Sequence, residues 1–232
     1  MCGRYGNYRS KMDYENALAA ASGLVLDPDR GPADLPPNYN ICPSQAAWVA
    51  RSAQQKTWLE PVTWGLVPRW AKDPKDGMRP INARAESVAT SKLFAPLLKR
   101  RRCLVPCDGF YEWQQTPAGK QPFMIRLASG APFFFAGLYD IWHEGEPDQL
   151  ATFTIITCEP NALTARIHNR MPVIAQPADY RRWLDPDVTD PAAVADMLRP
   201  YPAAEMTAYP ISKRVNSPRN NDAAIVEPLP ES

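Results

Sequence analysis

The chain has 232 residues, of which 45% are hydrophobic and 22% charged, so it can bury a full core without disulfides or metals. Its 26 basic and 25 acidic residues leave a net charge of +1. This bulk charge neither demands nor excludes a nucleic-acid partner, and only a focused basic patch would argue for one. No apolar run is long enough to span a bilayer, and the amino terminus lacks a signal-peptide pattern, so we expect a cytoplasmic protein without membrane contact.

The first predicted element is a helix over 11–22 that stops at Gly23, followed by an irregular loop over 27–40. Short runs rich in β-branched and aromatic residues then predict seven strands: AWVARS, PVTWGLV, RCLVP, GFYEW, PFMIRL, PFFFAGLYDIW and ATFTIIT. Helical segments are predicted within ARAESVATSKLFAPLLKR, over 160–167, in PADYRRWL, and in DPAAVADMLRP with Asp190 as its cap.

Scattered prolines, 26 in all, punctuate these short elements without forming a linker. No fixed repeat and no break in composition divides the chain. We therefore predict one α+β domain over 1–232, built on a curled, barrel-like antiparallel sheet with flanking helices and a frayed carboxy-terminal end.

The five cysteines are an odd number in a chain without a signal pattern, which predicts reduced thiols. Cys103 and Cys107 stand four apart, but no second Cys/His pair of matching spacing follows, and His143 and His168 are isolated. The spacing favours packed thiols at a strand end over a metal site, and no metal is expected.

Cys2 follows Met1 directly, and trimming of Met1 ahead of a small residue would leave Cys2 with a free α-amine beside its thiol. Such an aminothiol attacks an aldehyde through the amine to give an imine, and the thiol then closes a thiazolidine ring. An α-amine pKa of about 7.7–8.0 leaves on the order of a tenth of it neutral at pH 7, enough for attack. The alternative is a chance residue at a frayed terminus.

Asn82, Arg84 and Glu86 alternate in RPINARAES, so on an extended segment they share one face. Asn offers a donor and an acceptor, and Arg offers a fork that matches a phosphate. The alternative is a solvated strand face with an Arg–Glu ion pair.

Glu112 lies between Tyr111 and Trp113 in an apolar strand. If it faces inward, desolvation raises its pKa and suits it to proton transfer; if outward, it is an ordinary surface carboxylate, and alternation between two aromatic neighbours does not decide. His168 follows a short predicted helix and is either a general acid/base or a helix cap. His143 lies in an acidic hairpin loop and is expected to be exposed and inert.

Aromatic and basic residues interleave in two places, as single-stranded nucleic acid requires. Trp64, Arg69 and Trp70 stand together in TWGLVPRW. The run KRRR at 99–102 is instead interpreted as a charged helix end.

Together and in this order, these stretches resemble the SRAP domain, the SOS response-associated peptidase family. The matching stretches span nearly the whole chain: MCGRY, NYNICPSQ, WGLVPRW, INARAES, RRCLVPCDGFYEW, IHNRMPVI and YPISKRVNSPRNN. The resemblance implies a nucleoid-associated monomer that senses and shields abasic sites in single-stranded DNA through a covalent link to its amino-terminal cysteine, with no cofactor.

Carried over by motif, the resemblance makes Cys2 the nucleophile, supported by Asn82, Glu112 and His168. It places Arg4, Arg84 and Arg170 near the DNA backbone, and it places Asn40, Pro43 and Trp70 along the DNA-binding cleft. Relatives often have Ala where this chain has Cys42, and some have Trp where it has Arg69, which leaves the details of base stacking open.

Two other functions stay open. The family name and the Cys, His and Asn/Glu set allow a cysteine peptidase, of which self-removal of Met1 would be the minimal activity. The second is non-enzymatic binding of single-stranded DNA. A lyase-type reaction at the abasic site could accompany the covalent link.

Overall fold

The computed structural model describes residues 2–32, 34–75 and 77–230. The strands within these residues are β1 (Tyr5–Asn7), β2 (Asn38–Ile41), β3 (Ala46–Ala53), β4 (Lys56–Trp64), β5 (Asn82–Arg84), β6 (Arg102–Cys107), β7 (Gly109–Thr116), β8 (Gly119–Leu127), β9 (Phe133–Trp142), β10 (Leu150–Cys158), β11 (Met171–Pro172) and β12 (Met206–Pro210). The α-helices are α1 (Lys11–Ser22), α2 (Ala85–Val88), α3 (Ala95–Arg100), α4 (Tyr180–Leu184) and α5 (Ala192–Ala195). Short 3₁₀ turns occupy Thr164–Arg166, Pro177–Asp179, Ala203–Glu205, Lys213–Asn216 and Ala223–Val226.

Five strands close into a barrel in the order β10, β4, β3, β6 and β9, with β9 pairing back onto β10. Closure removes the unpaired edges that an open sheet would expose. The barrel predicted from the sequence is therefore confirmed. Within the barrel, β10 runs parallel to β4, and the other pairings are antiparallel. Outside the five barrel strands, β10 also pairs in parallel with β5. The short strands β5 and β11 both add to β10, so the segments that carry Asn82 and His168 meet on one strand.

The second sheet is wholly antiparallel and has the order β12, β8, β7, β1 and β2. The amino-terminal strand β1 thus lies between β7 and β2 rather than at an edge. Tyr5 of β1 is fully buried and packs edge-on against Trp64 and Phe135 of the barrel, with ring centroids 5.3 and 5.7 Å apart. These aromatic contacts fix the start of the chain against the barrel.

Most of the predicted elements are present, with altered ends. The helix over 11–22 is confirmed: Ser10 and Asp13 form a capping box, and Gly23 ends the helix at φ 61°. β4 starts at Lys56 and stops at Trp64, because Gly65 turns the chain at φ 117°.

Two predictions of local structure were wrong in part. The predicted loop over 27–40 contains the start of β2, which forms only because it pairs with β1. The predicted helix over 160–167 is reduced to a 3₁₀ turn at Thr164–Arg166.

The carboxy-terminal end, predicted to fray, is held as far as Leu229, whose backbone N–H donates to the carbonyl of Pro210 at 2.9 Å. Residues 231 and 232, on which that prediction also falls, lie outside the described residues. No helix among the described residues is long and apolar enough to cross a membrane.

Candidate active site

The residues before β1 run beside β7, where the backbone N–H of Tyr111 donates to the carbonyl of Arg4 at 3.0 Å. This pairing brings Cys2 toward the strand that carries Glu112. Cys2 is fully buried. Burial raises the pKa of the Cys2 thiol far above its usual range, and the negative charge of Glu112 raises it further. Met1 lies outside the described residues, so its predicted removal stays a prediction.

Glu112 faces inward, which settles the orientation that the sequence left open. Its side chain lies in the protein interior with 3% of the residue exposed, and burial raises its pKa to about 7. Both faces of β7 are covered: Tyr111 packs into a small second core with Met124 and Ile211, and this explains why alternation was uninformative. A carboxyl group with a pKa near neutrality is suited to both giving and taking a proton.

His168 lies beside Glu112, with 3.9 Å between its Nδ1 and the carboxylate Oε1. The backbone N–H of Arg170 donates to the same Nδ1 at 3.1 Å. The carbonyl oxygen of Arg170 lies 3.2 Å from the same Nδ1, so the backbone of Arg170 holds this edge of the ring. Burial lowers the pKa of His168, which favours the neutral ring at pH 7.

Asn82 begins β5 and pairs with Ile155 of β10. The strand start is fixed because the indole Nε1 of Trp64 donates to the carbonyl of Ile81 at 2.9 Å. Both the amide oxygen and the amide nitrogen of Asn82 are buried, and neither has a hydrogen-bond partner among the described residues. An unsatisfied buried amide costs about 1–3 kcal/mol, and such a group marks a place where a ligand would supply the missing bonds.

Gln114 is a residue of this site that sequence reasoning missed. Its side-chain Nε2 donates to the carbonyl of Arg166 at 2.8 Å and so ties the turn before His168 to β7. Gln114 stands two residues after Glu112 and therefore points to the same face of the strand. The spacing of two residues from Glu112 was the signal in the sequence that could have identified Gln114.

Arg170 is held by protein groups rather than left open to solvent. Its guanidinium donates to both carboxylate oxygens of Glu86, at 2.5 and 2.9 Å, and to the carbonyl of Thr157 at 2.6 Å. The shared strand face predicted for Asn82, Arg84 and Glu86 was wrong for Glu86, because β5 ends at Arg84 and α2 begins at Ala85. Arg84 is exposed and makes no ion pair within the described residues.

Arg4 and Asn40 together hold the segment over 215–220 near the site. Arg4 donates to the Asn40 side-chain oxygen at 2.8 Å and to the carbonyl of Val215 at 2.6 Å. Asn40 is 1% exposed, and its amide donates to the carbonyls of Val215, Ser217 and Asn220. The structure therefore places Arg4 and Asn40 in a clamp on this segment, with Asn40 shielded from solvent.

The segment also contacts β7 directly. The indole Nε1 of Trp113 donates to the side-chain oxygen of Asn216 at 2.8 Å. Since Trp113 follows Glu112, this contact joins the segment over 215–220 to the strand that carries Glu112.

Pro43 and Trp70 are exposed, and Trp70 has 73% of its surface free. Arg69 pairs with Asp140 at 3.1 Å, and Cys42 is buried. Pro43 and Trp70 are thus available to an external ligand.

The remaining candidates are two buried thiols, an exposed histidine and a basic run. Cys103 and Cys107 are fully buried on β6. His143 faces Asp148 across an exposed turn, with its Nδ1 3.1 Å from a carboxylate oxygen. No group of three or more His, Cys, Asp or Glu side chains within the described residues is arranged to hold a metal ion. The run at 99–102 is confirmed as a helix end, although Arg102 turns inward and donates to the carbonyls of Leu98 and Trp183.

Comparison with known proteins covers almost the whole chain. Residues 1–218 match the family model described as SOS response associated peptidase (SRAP). The chain is 40% identical over 230 residues to the abasic site processing protein YoaM of Bacillus subtilis (98% of each chain) and 30% identical over 230 residues to the abasic site processing protein YedK of Escherichia coli (99% of this chain and 100% of YedK). A crystal structure of a Bacteroides thetaiotaomicron protein superposes with a TM-score of 0.81 at 27% identity and covers 98% of this chain and 100% of its own.

Proposed function

This chain belongs to the SOS response associated peptidase (SRAP) family, and from that premise we propose that it processes abasic sites in single-stranded DNA by linking covalently to them through Cys2. The printed names of YoaM and YedK as abasic site processing proteins support the substrate. The site geometry supports the chemistry, which needs an amine, a thiol and a proton carrier in one place.

The proposed reaction joins one aminothiol to one aldehyde and releases one water. Once Met1 is removed, the α-nitrogen of Cys2 attacks the aldehyde carbon of the ring-opened abasic sugar and gives a carbinolamine. Loss of the hydroxyl with a proton yields the imine. The thiol sulfur then bonds to the imine carbon, its proton passes to the nitrogen, and a thiazolidine ring is complete.

The pair formed by the buried Glu112 and the half-buried His168 carries this proposal. A carboxyl group with a pKa of about 7 can protonate the departing hydroxyl and later accept the thiol proton. His168, whose lowered pKa favours the neutral ring, would assist ring opening of the sugar. The unsatisfied amide of Asn82 would bind the deoxyribose or the new α-amine.

The buried state of Cys2 favours this reaction over a general cysteine peptidase. Cysteine peptidases use a thiolate whose pKa is lowered by a neighbouring positive charge. Here burial and the charge of Glu112 both raise the pKa of the Cys2 thiol. In the proposed reaction the amine attacks first, so a resting thiolate is not needed.

The residues that the family resemblance places near the DNA would act in two ways. Arg84, Pro43 and Trp70 are exposed and would touch the strand, Arg84 at a phosphate. Arg4 and Asn40 would act through the segment that they clamp. Arg170, with its fork bound to Glu86, would mainly position His168.

The decisive experiment mixes the protein with single-stranded DNA that contains one abasic site and analyses the mixture on a denaturing gel. We expect one covalent band per chain, with the link mapped to Cys2 by peptide mass spectrometry. Cys2→Ala should still bind DNA but give no stable band, because an amine alone forms a hydrolysable imine. A link mapped to one of the other four cysteines would defeat the proposal.

A further inference from the structure

Asp108, which lies between β6 and β7, holds the segment of chain that leads to Cys2. Its side chain is 1% exposed, and three groups donate to its carboxylate. Oδ2 accepts hydrogen bonds from the backbone N–H of Tyr8 at 2.8 Å and from the hydroxyl of Tyr14 at 2.5 Å. Oδ1 accepts one from Nε of Arg9 at 2.7 Å. A buried carboxylate needs such partners, and these tie Asp108 to the residues just after β1 and to α1.

The backbone of Asp108 contacts the same segment. Its N–H donates to the carbonyl of Gly6 at 2.9 Å, and Gly6 pairs with Gly109 in the ladder between β1 and β7. Arg9 is fixed from a second side as well, because its Nη2 donates to the carbonyl of Gly130 at 2.8 Å. Gly6 and the two residues that follow β1 are thus bound at one point of the sheet, which holds the carboxy-terminal end of β1 in register.

The position of Cys2 depends on such anchors more than that of an internal nucleophile would. Once Met1 is removed, Cys2 is attached to the chain on one side only. Its backbone restraint then comes from residues 3–9 alone. A reacting atom that is misplaced by about 1 Å can lose about 10²-fold in rate, so the hold on this segment bears directly on the reaction.

The packing of β1 and the hydrogen bonds at Asp108 restrain the strand in different ways. Tyr5 anchors β1 by packing its ring against the barrel, and apolar packing is non-directional, so it permits small shifts along the strand. Hydrogen bonds weaken steeply when donor and acceptor move out of line, and those to an ionised group are the stronger ones. The contacts of Asp108 therefore add a directional restraint along the axis of β1, and a shift along that axis would move Cys2 relative to Glu112.

We propose that Asp108 is a positioning residue for Cys2, which it acts on through Tyr8, Arg9 and the strand β1. This inference rests on the proposed function. Because its carboxylate is buried, Asp108 does not meet the DNA. It therefore controls how fast Cys2 captures the aldehyde and not how tightly the strand binds.

The test measures single-turnover crosslinking of Asp108→Asn over a range of concentrations of abasic single-stranded DNA. An amide has one acceptor oxygen in place of two and carries no charge, so it cannot hold Tyr8 and Arg9 together. The maximal rate constant should fall by about tenfold or more, while the DNA concentration that gives half of it stays within about twofold of wild type. The final yield should still reach one adduct per chain. A variant that was only less folded would instead show a lower yield at the wild-type rate constant.

Asp140→Asn is the matched control. Asp140 is also buried and also accepts a backbone N–H and an Nε, those of Arg69 at 2.9 and 3.1 Å, but it holds the loop after β4 and not β1. Its maximal rate constant should equal that of wild type. Arg9→Ala removes one partner of Asp108 at a side chain that is 39% exposed, so it disturbs the core less. It should slow the reaction several-fold at full yield. An equal loss of rate in Asp140→Asn, or no loss in Asp108→Asn and Arg9→Ala, would overturn the inference.

A second measurement separates failure here from failure of the proposed function, because it uses no DNA. Brief treatment with iodoacetamide, followed by peptide mass mapping, compares Cys2 with Cys103 and Cys158, all of which are buried. In Asp108→Asn, labelling of Cys2 should rise by about tenfold while the other two thiols stay protected, because only the segment around β1 is released. No rise at Cys2, or equal rises at all three thiols, would contradict the role of Asp108. If the wild type forms no adduct, the proposed function fails, and the labelling alone decides whether Asp108 holds Cys2.

Discussion

Glu86 accepts two hydrogen bonds from the guanidinium of Arg170, at 2.5 and 2.9 Å, and ties α2 to the turn that presents His168. The backbone N–H of Arg170 in turn donates to Nδ1 of His168. The ion pair between Glu86 and Arg170 thus helps to hold the imidazole of His168 in place through the backbone of Arg170. A planar fork on a carboxylate fixes orientation as well as charge, which makes Arg170 a positioning residue.

We expect Glu86→Gln to slow crosslinking several-fold without weakening single-strand binding. The amide cannot hold both ends of the fork, so Arg170 and with it His168 lose their fixed orientation, while removal of a negative charge does not repel DNA. Single-turnover crosslinking rates and strand affinity measured side by side check this. Glu146→Gln makes the same charge change at an exposed carboxylate on the turn after β9 and is the control. Equal rates for both variants would reduce the pair to an ordinary surface ion pair.

The elements that sequence patterns predicted well are those specified by neighbouring residues. The ends of α1 follow from Ser10 and Gly23, and the strand runs follow from local composition. The elements they missed depend on distant partners. β2 exists because β1 lies beside it, and the short strand β5 exists because it pairs in parallel with the distant β10.

The same division holds for the candidate site. The residue types at Cys2, Asn82, Glu112 and His168 were open to prediction from their chemistry and from family resemblance. The inward direction of Glu112 was not, since the covering of both faces of β7 removes the alternation signal. Nor was the partner of Glu86, because an ion pair between α2 and the turn after β10 has no local signature.

The crosslinking rate should depend on pH as a bell with its maximum between about pH 7 and pH 8. The α-amine must be neutral, so the rate rises through its pKa of about 7.7–8.0. Glu112 must be protonated to release water from the carbinolamine, so the rate falls above its pKa of about 7. Glu112→Gln should react more slowly, and its profile should rise to a plateau without the fall. Rates from pH 5.5 to 9.5 check both profiles, and a fall at high pH that survives in the variant would assign the acid elsewhere.

Glu112 should also affect stability in the absence of DNA. Burial raises its pKa from 4.5 to about 7, so the folded state holds this proton more tightly than the unfolded chain does. The contribution is fully present below about pH 4.5 and is lost as pH rises through about 7. Between pH 5 and pH 8 the free energy of unfolding should therefore fall by roughly 2–3 kcal/mol more in the wild type than in Glu112→Gln. Urea unfolding at both pH values measures this, with Glu146→Gln on the exposed turn after β9 as control. Parallel behaviour of wild type and Glu112→Gln would mean that Glu112 titrates as a surface group.

The last prediction concerns a single atom, the α-nitrogen of Cys2. While Met1 is attached, this nitrogen belongs to a peptide bond, and its lone pair is delocalised into the carbonyl and is not nucleophilic. The thiol alone would add to an aldehyde as a hemithioacetal, which reverses readily and does not survive denaturation. A chain with an uncleavable amino-terminal extension should therefore lose the covalent band, whereas a chain tagged at its carboxy terminus should keep it.

Intact-mass measurement of the untagged protein should first show that Met1 is absent. Adduct yields are then compared for the untagged, amino-terminally extended and carboxy-terminally tagged chains at the same salt and pH, with strand affinity measured for each. An extended chain that binds DNA normally but gives no band places the requirement on the amine rather than on access to the site. A peptidase reaction by the thiol does not need a free amine, so under that function the extended chain would still cleave peptides. Equal adduct yields from the extended and untagged chains would rule out the thiazolidine mechanism.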